Sequence, residues 1–278
     1  MSKRKSERLV KTIAIASGKG GVGKTNIITN LGVALRKMGK EVLIFDADLG
    51  LSNIDVLLSL APKYNIEHLI KGEKSLKEII IEGPNGIKIL PAGHGVQELT
   101  SLNEFDRLRV LEQFDEYTEK VDIMLIDTSA GISENVTFFC TAVQENIIVV
   151  TPEPTSITDA YALIKILHNK YREKDFNLVV NLAKNEDEAK EVYKRLSMVT
   201  EKFLKVDLHY LGFVRYDENV KKAVKMQDAF VNAFPNTNAS KDIFDIANKI
   251  LDSEIKCKGS MQFFLRNVLS GIKEGVCV

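Results

Sequence analysis

Cysteine and histidine are scarce in this chain, and neither is arranged for chemistry. The three cysteines, Cys140, Cys257 and Cys277, are odd in number and none stands at CxxC spacing. That excludes a disulfide framework or a paired-thiolate metal carrier and favours a reducing compartment. The four histidines, His68, His94, His168 and His209, lie far apart and show no metal-ligand spacing. Net charge is also missing, because 38 Lys and Arg balance 38 Asp and Glu. Bulk charge therefore gives no sign of a nucleic-acid binder, and no direct nucleic-acid partner is expected. No apolar run approaches the roughly 18 residues that a membrane-spanning helix needs. The basic start MSKRKSERLVK lacks a following apolar stretch, so it is not a secretory signal. Residues 1–10 read as a short flexible basic arm.

What is present is alternation. Hydrophobic residues make up 45% of 278 and charged residues 27%, enough for a large buried core. Short apolar runs of strand length recur at 12–16 (TIAIA), 42–45 (VLIF), 87–90 (IKIL), 123–126 (IMLI), 147–150 (IIVV), 178–180 (LVV) and 208–214. Between them lie stretches of helical period, at 24–38, 103–117, 156–167, 186–203 and 241–251. Fully apolar strands separated by helices predict an α/β fold, a mostly parallel sheet covered on both faces. One domain over residues 11–251 is expected, followed by a linker and tail over 252–278.

The segment Gly18-Lys19-Gly20-Gly21-Val22-Gly23-Lys24-Thr25 fits GxxxxGK[ST] between a predicted strand and a predicted helix, the setting a phosphate loop requires. The glycines let the backbone N–H groups turn inward to phosphate oxygens, and the helix N-terminus adds partial positive charge. Lys24 is placed to bridge the β- and γ-phosphates and Thr25 to ligate Mg2+, with Asn26 following on the helix. ATP and Mg2+ are the expected cofactors. Carboxylates close two of the apolar runs, Asp46-Ala47-Asp48 and Asp127, where ligands of parallel sheets bind. Helix N-caps and turns also use aspartate at such junctions. Asn181 ends the run NLVV and carries the amide pattern that pairs with an adenine edge, or else turns the strand into a loop. Asp217, after GFVRY, is a weaker candidate for the same end of the nucleotide.

KGGVGKT resembles the deviant Walker A motif of the MinD/ParA family. The stretches DADLGLSNIDVLLSL (46–60), ILPAGHGVQEL (89–99), IDTSAGIS (126–133) and TPEPTSITDAYALIK (151–165) are similar to the FlhG (FleN) branch of that family. The resemblance covers nearly the whole chain from Lys11. It implies a P-loop ATPase that forms a homodimer around ATP, with Lys19 reaching the partner's nucleotide. It gives Asp48 the attacking water and places Asp46 in the Mg2+ surroundings. Asp127 acts on Mg2+ mainly through water, and Gly131 lets its segment move. Asn181 goes to adenine. The function implied is control of flagellar number and placement, with flagellar assembly or regulatory proteins as partners, an FlhF-type GTPase among them. The sequence departs from that branch at its N-terminus, MSKRKSERLVK, where many members carry a DQAxxLR-type segment associated with stimulating that GTPase.

Near the C-terminus, Met261, Phe264, Leu265, Val268, Leu269 and Ile272 fall on one helical stripe. Such a helix can pack on the domain or lie in a membrane surface. Lys256, Lys258, Arg266 and Lys273 favour the membrane, so the ATP state is expected on the inner face of the cell membrane and the protein otherwise in the cytoplasm. Two rivals share the chemistry: division-site placement of the MinD kind, and ParA-like DNA partition. The second would want a basic patch and no amphipathic tail.

Overall fold

The fold, obtained as a computed structural model, describes residues 10–48, 53–91, 110, 112–114, 117 and 120–254. The basic arm, the amphipathic tail, the GHGVQEL stretch and much of the 103–117 segment lie outside the described residues. Eight strands form one sheet: β1 (Lys11–Ser17), β2 (Val42–Ala47), β3 (Ile81–Glu82), β4 (Lys88–Pro91), β5 (Ile123–Ala130), β6 (Glu145–Val150), β7 (Asp175–Ala183) and β8 (Asp207–Arg215). Their order is β3-β4-β2-β5-β1-β6-β7-β8. Every pairing is parallel except β3 with β4.

Buried on both faces, β1, β2 and β6 have no exposed position, which is why they read as unbroken apolar runs rather than alternating ones. One core layer gathers Ala14, Phe45, Met124, Phe139, Ile148, Leu163 and Leu196. It lies under α5 (Glu134–Ala142), α6 (Pro154–Tyr171) and α7 (Glu186–Leu204). The other gathers Ile13, Ile28, Leu31, Ile44, Leu125, Val179 and Ile243. It lies under α1 (Lys24–Lys37) and α10 (Asn238–Asp252). Short helices complete the described chain: α2 (Asn53–Leu57), α3 (Ile66–Ile70), α4 (Leu76–Ile79), α8 (Glu218–Met226) and α9 (Phe230–Ala233).

Most strands outrun their apolar segments, among them β2 and β5 beside the phosphate loop. The parallel pairing of β2 with β5 matches Asp46 with Asp127 and then Ala47 with Thr128, so both aspartates lie inside strands rather than just beyond them. Backbone hydrogen bonding sets strand length, and hydropathy reports only the apolar part of it, passing over buried polar residues such as Asp46, Asp127 and Thr128. The helix α1 stops where expected, with Met38 as C-cap and Gly39 at φ +84°, the left-handed residue that commonly ends a helix.

From β1 the chain crosses over β5 to β2, and later elements build outward through β6, β7 and β8. The order therefore reverses at β1. In an open parallel sheet, the crevice at the carboxyl ends of strands at such a reversal is where ligands bind. Among the described residues no helix is long and apolar enough to cross a membrane.

Candidate nucleotide site

The loop between β1 and α1 occupies that crevice. An open cleft of about 540 Å³ is lined by Ser17, the stretch from Gly20 to Asn26, Asp48 and Ala130 on one side. Val56 and Leu57 of α2, with Val224 and Gln227 at the end of α8, line the other. Two glycines of the loop are fixed by what surrounds them. Gly23 is the N-cap of α1 at φ +85°, and a Cβ there would stand 2.4 Å from the Asn181 amide nitrogen. At Gly18 a Cβ would stand 2.2 Å from the backbone carbonyl of Asp159 in α6.

Lys24 is buried, and its ammonium meets the Asp127 Oδ1 at 2.9 Å. The other oxygen, Oδ2, is buried with no hydrogen-bond partner. Burial raises the Asp127 carboxyl above its ordinary range, opposed by Lys24 and the Thr25 hydroxyl. Asp46 lies beside it in the sheet, and its pKa is raised to about 7, first by burial and then by the charge of Asp127. Asp48 is less deeply placed. Its Oδ1 accepts from the Ser129 hydroxyl at 2.9 Å, and its N–H donates to Asp46 Oδ1 at 3.4 Å.

This donor set fits Mg2+ held together with a nucleotide. Mg2+ takes oxygen ligands, usually one or two carboxylates with waters and phosphates rather than an all-protein cage. Asp127 Oδ2 is an orphaned buried acceptor, a group that costs stability until something satisfies it. Among the described residues no group of three or more His, Cys, Asp or Glu could hold a metal ion, so phosphate and water must complete any shell here.

Of the expected site residues, Gly18, Lys19, Asp46, Asp127, Asn181 and Asp217 stand apart from the cleft lining. Lys19 leans to α6, where its ammonium meets Glu153 at 2.5 Å and donates to the Thr155 hydroxyl at 2.9 Å; it is 35% exposed. Asn181 is buried, and its amide donates to the Val22 carbonyl at 2.7 Å, bracing the phosphate loop from β7. Asp217 caps α8, accepting from the Asn219 N–H at 2.8 Å. Sequence reading missed the far wall of the cleft. Val56 and Leu57 fall in the family-like stretch 46–60 without a role assigned to them, Val224 and Gln227 carry no motif, and only the fold brings α2 and α8 together. There the Gln227 amide donates to the Val56 carbonyl at 2.9 Å.

Comparison with known proteins gives a consistent picture. A family model described as "ParA: NUBPL iron-transfer P-loop NTPase" matches residues 8–251. The chain is 39% identical to the antiactivator FleN of Pseudomonas aeruginosa over 97% of each chain. It is 36% identical to the flagellum site-determining protein YlxH of Helicobacter pylori, over 92% of this chain and 89% of that one. In structure it is similar to the MinC:MinD cell division complex of Aquifex aeolicus, with a TM-score of 0.69 and 27% identity, covering 90% of this chain and 99% of that chain.

Proposed function

Because this chain belongs to the ParA/MinD family of P-loop NTPases and is an ATPase, we propose that it is an ATP-driven switch that sets flagellar number and placement. It dimerises on ATP and associates with the membrane in that state. Identity to FleN over nearly the whole of both chains carries the flagellar reading, and YlxH points the same way. Lys24 and the phosphate-loop N–H groups bind the phosphates, and the Thr25 hydroxyl would ligate Mg2+ beside them. Asp48 orients the attacking water, and Asp46 and Asp127 hold Mg2+, directly or through water. When bound, Mg2+ neutralises charge on the phosphoryl oxygens. Asn181 braces the phosphate loop through the Val22 carbonyl, and we assign it to the adenine. The position of Lys19 supports the dimer. It lies outside its own cleft lining, held by surface groups at the start of α6, Glu153 and Thr155, and is therefore able to exchange them for a partner's phosphate.

Sedimentation in defined nucleotide states tests this reading. Asp48→Ala should bind ATP, lose turnover and remain dimeric with ATP, while the wild type with ADP is monomeric. Lys19→Ala should bind nucleotide and stay monomeric. A dimer indifferent to nucleotide, or one that persists without Lys19, contradicts the sandwich. Deleting the gene should change flagellar number or position. Minicells with normal flagella would instead support division-site placement, the role suggested by the MinD likeness.

A further inference from the structure

Ser129 was not among the residues that the phosphate-loop or carboxylate patterns single out, yet its hydroxyl makes a direct side-chain contact with Asp48. The pairing of β2 and β5 ends with Ala47 opposite Thr128, so Asp48, just past β2, and Ser129 in β5 come side by side, with Asp48 and Ala130 lining the cleft. The Ser129 hydroxyl donates to Asp48 Oδ1 at 2.9 Å. Its own backbone is held on both sides. The Thr128 hydroxyl donates to the Ile15 carbonyl at 3.1 Å, and the Gly131 N–H donates to the Ser17 carbonyl at 2.8 Å. The donor thus sits on a segment tied twice to β1, the strand that leads into the phosphate loop. Asp48 follows the last residue of β2, and its backbone N–H meets Asp46 Oδ1 at a long 3.4 Å.

We infer that Ser129 is a positioning residue for hydrolysis: its hydroxyl fixes the carboxylate of Asp48 relative to the phosphate loop. This rests on the reading of Asp48 as the residue that orients water. A carboxylate at a strand end has several rotamers of similar energy, and one hydrogen bond from a fixed donor selects among them. Placement matters because a displacement of about 1 Å at a reacting group can cost on the order of a hundredfold in rate. The hydroxyl lies off the phosphate-binding N–H groups and Lys24, so its loss acts on turnover rather than on binding.

Steady-state ATP hydrolysis with the full-length protein separates the possibilities, alongside ATP affinity measured with a fluorescent analogue. Ser129→Ala should lower kcat about tenfold with KM, ATP affinity and thermal unfolding close to wild type. Ser129→Thr, which keeps a hydroxyl on Cβ, should recover most of the rate. Ser129→Cys keeps the volume but lacks a strong donor, and should fall with alanine; it also serves if alanine folds poorly. In an Asp48→Ala background, Ser129→Ala should add no further loss, since residues acting through one another are non-additive. Wild-type kcat in Ser129→Ala or Ser129→Cys, with Asp48→Ala inactive, overturns the inference and leaves the role of Asp48 standing. Equal losses in the threonine and alanine variants overturn it too, because the effect is then steric. Full turnover in Asp48→Ala removes the reading beneath it.

Discussion

Asp46 and Asp127 face each other across neighbouring strands, 4% and 0% exposed. Lys24 is bonded to Asp127, and Asp46 has its pKa raised to about 7. An acid whose folded pKa exceeds its unfolded value binds more protons when folded. Its stabilising contribution is complete below the unfolded value of 3.8 and is lost as pH rises through about 7. The nucleotide- and Mg2+-free protein should therefore lose stability across that window. Asp46→Asn removes the titrating group, so denaturant unfolding should find the variant and wild type similar at the acid end and the variant more stable at about pH 8. Adding Mg2+ with ADP should reverse the order at the higher pH, since a bound cation favours the charged carboxylate. A wild-type profile that is flat from acid to neutral pH contradicts this account of Asp46.

The phosphate loop is set by the elements it touches as much as by its own residues. Helix α6 comes so close at Asp159 that no side chain fits on Gly18, and the obstacle is backbone, which cannot rotate away. Gly18→Ala should therefore shift the loop or the helix, at a cost of about 1–3 kcal/mol as for an overpacked core. ATP affinity should fall although no ligand group has been removed. Thermal unfolding and nucleotide titration check both, and unchanged values would mean that α6 yields freely. Here the limits of sequence reading become physical. The apolar runs, the glycine-rich turn and the strand-end carboxylates were legible because burial on both faces and phosphate binding each impose a local pattern. Helices of four or five residues, such as α2 and α4, are too short to show a period. The reach of α6 over Gly18, the Asn181 brace on Val22 and the Gln227 contact with Val56 join residues 141, 159 and 171 positions apart. No local pattern records such contacts. Ser129 was silent for another reason: a lone hydroxyl in DTSAG is unremarkable until Asp48 is seen beside it.

At the scale of the whole molecule, the tail has a fixed root. Lys11, at the end of β1 away from the phosphate loop, pairs with Glu145 at 2.9 Å and donates to the carbonyls of Ile250 at 2.8 Å and Ser253 at 3.1 Å. The end of α10 is thus clamped to the centre of the sheet, and the amphipathic segment expected over 261–272 begins a few residues later. A helix there would carry a handful of large apolar side chains, each worth about 1.5–3 kcal/mol on full burial. Short helices are marginal in water, and ordering one at a surface offsets part of the gain, so a single tail should bind lipid weakly and reversibly. In the ATP dimer we propose, two tails would engage one membrane, and the second binding would become intramolecular. Avidity of roughly 10²–10⁴ follows without any new contact. Lys256, Lys258, Arg266 and Lys273 add attraction to anionic lipid that salt screens. Co-sedimentation with vesicles of mixed neutral and anionic phospholipid should be strong with ATP, weak with ADP and reduced at high salt. Asp48→Ala, arrested before hydrolysis, should bind more persistently than wild type. Phe264→Asp or Val268→Asp should abolish binding while ATP-driven dimerisation continues. If these substitutions unfold the domain instead, the stripe belongs to the core; if they leave lipid binding intact, the tail is not the anchor.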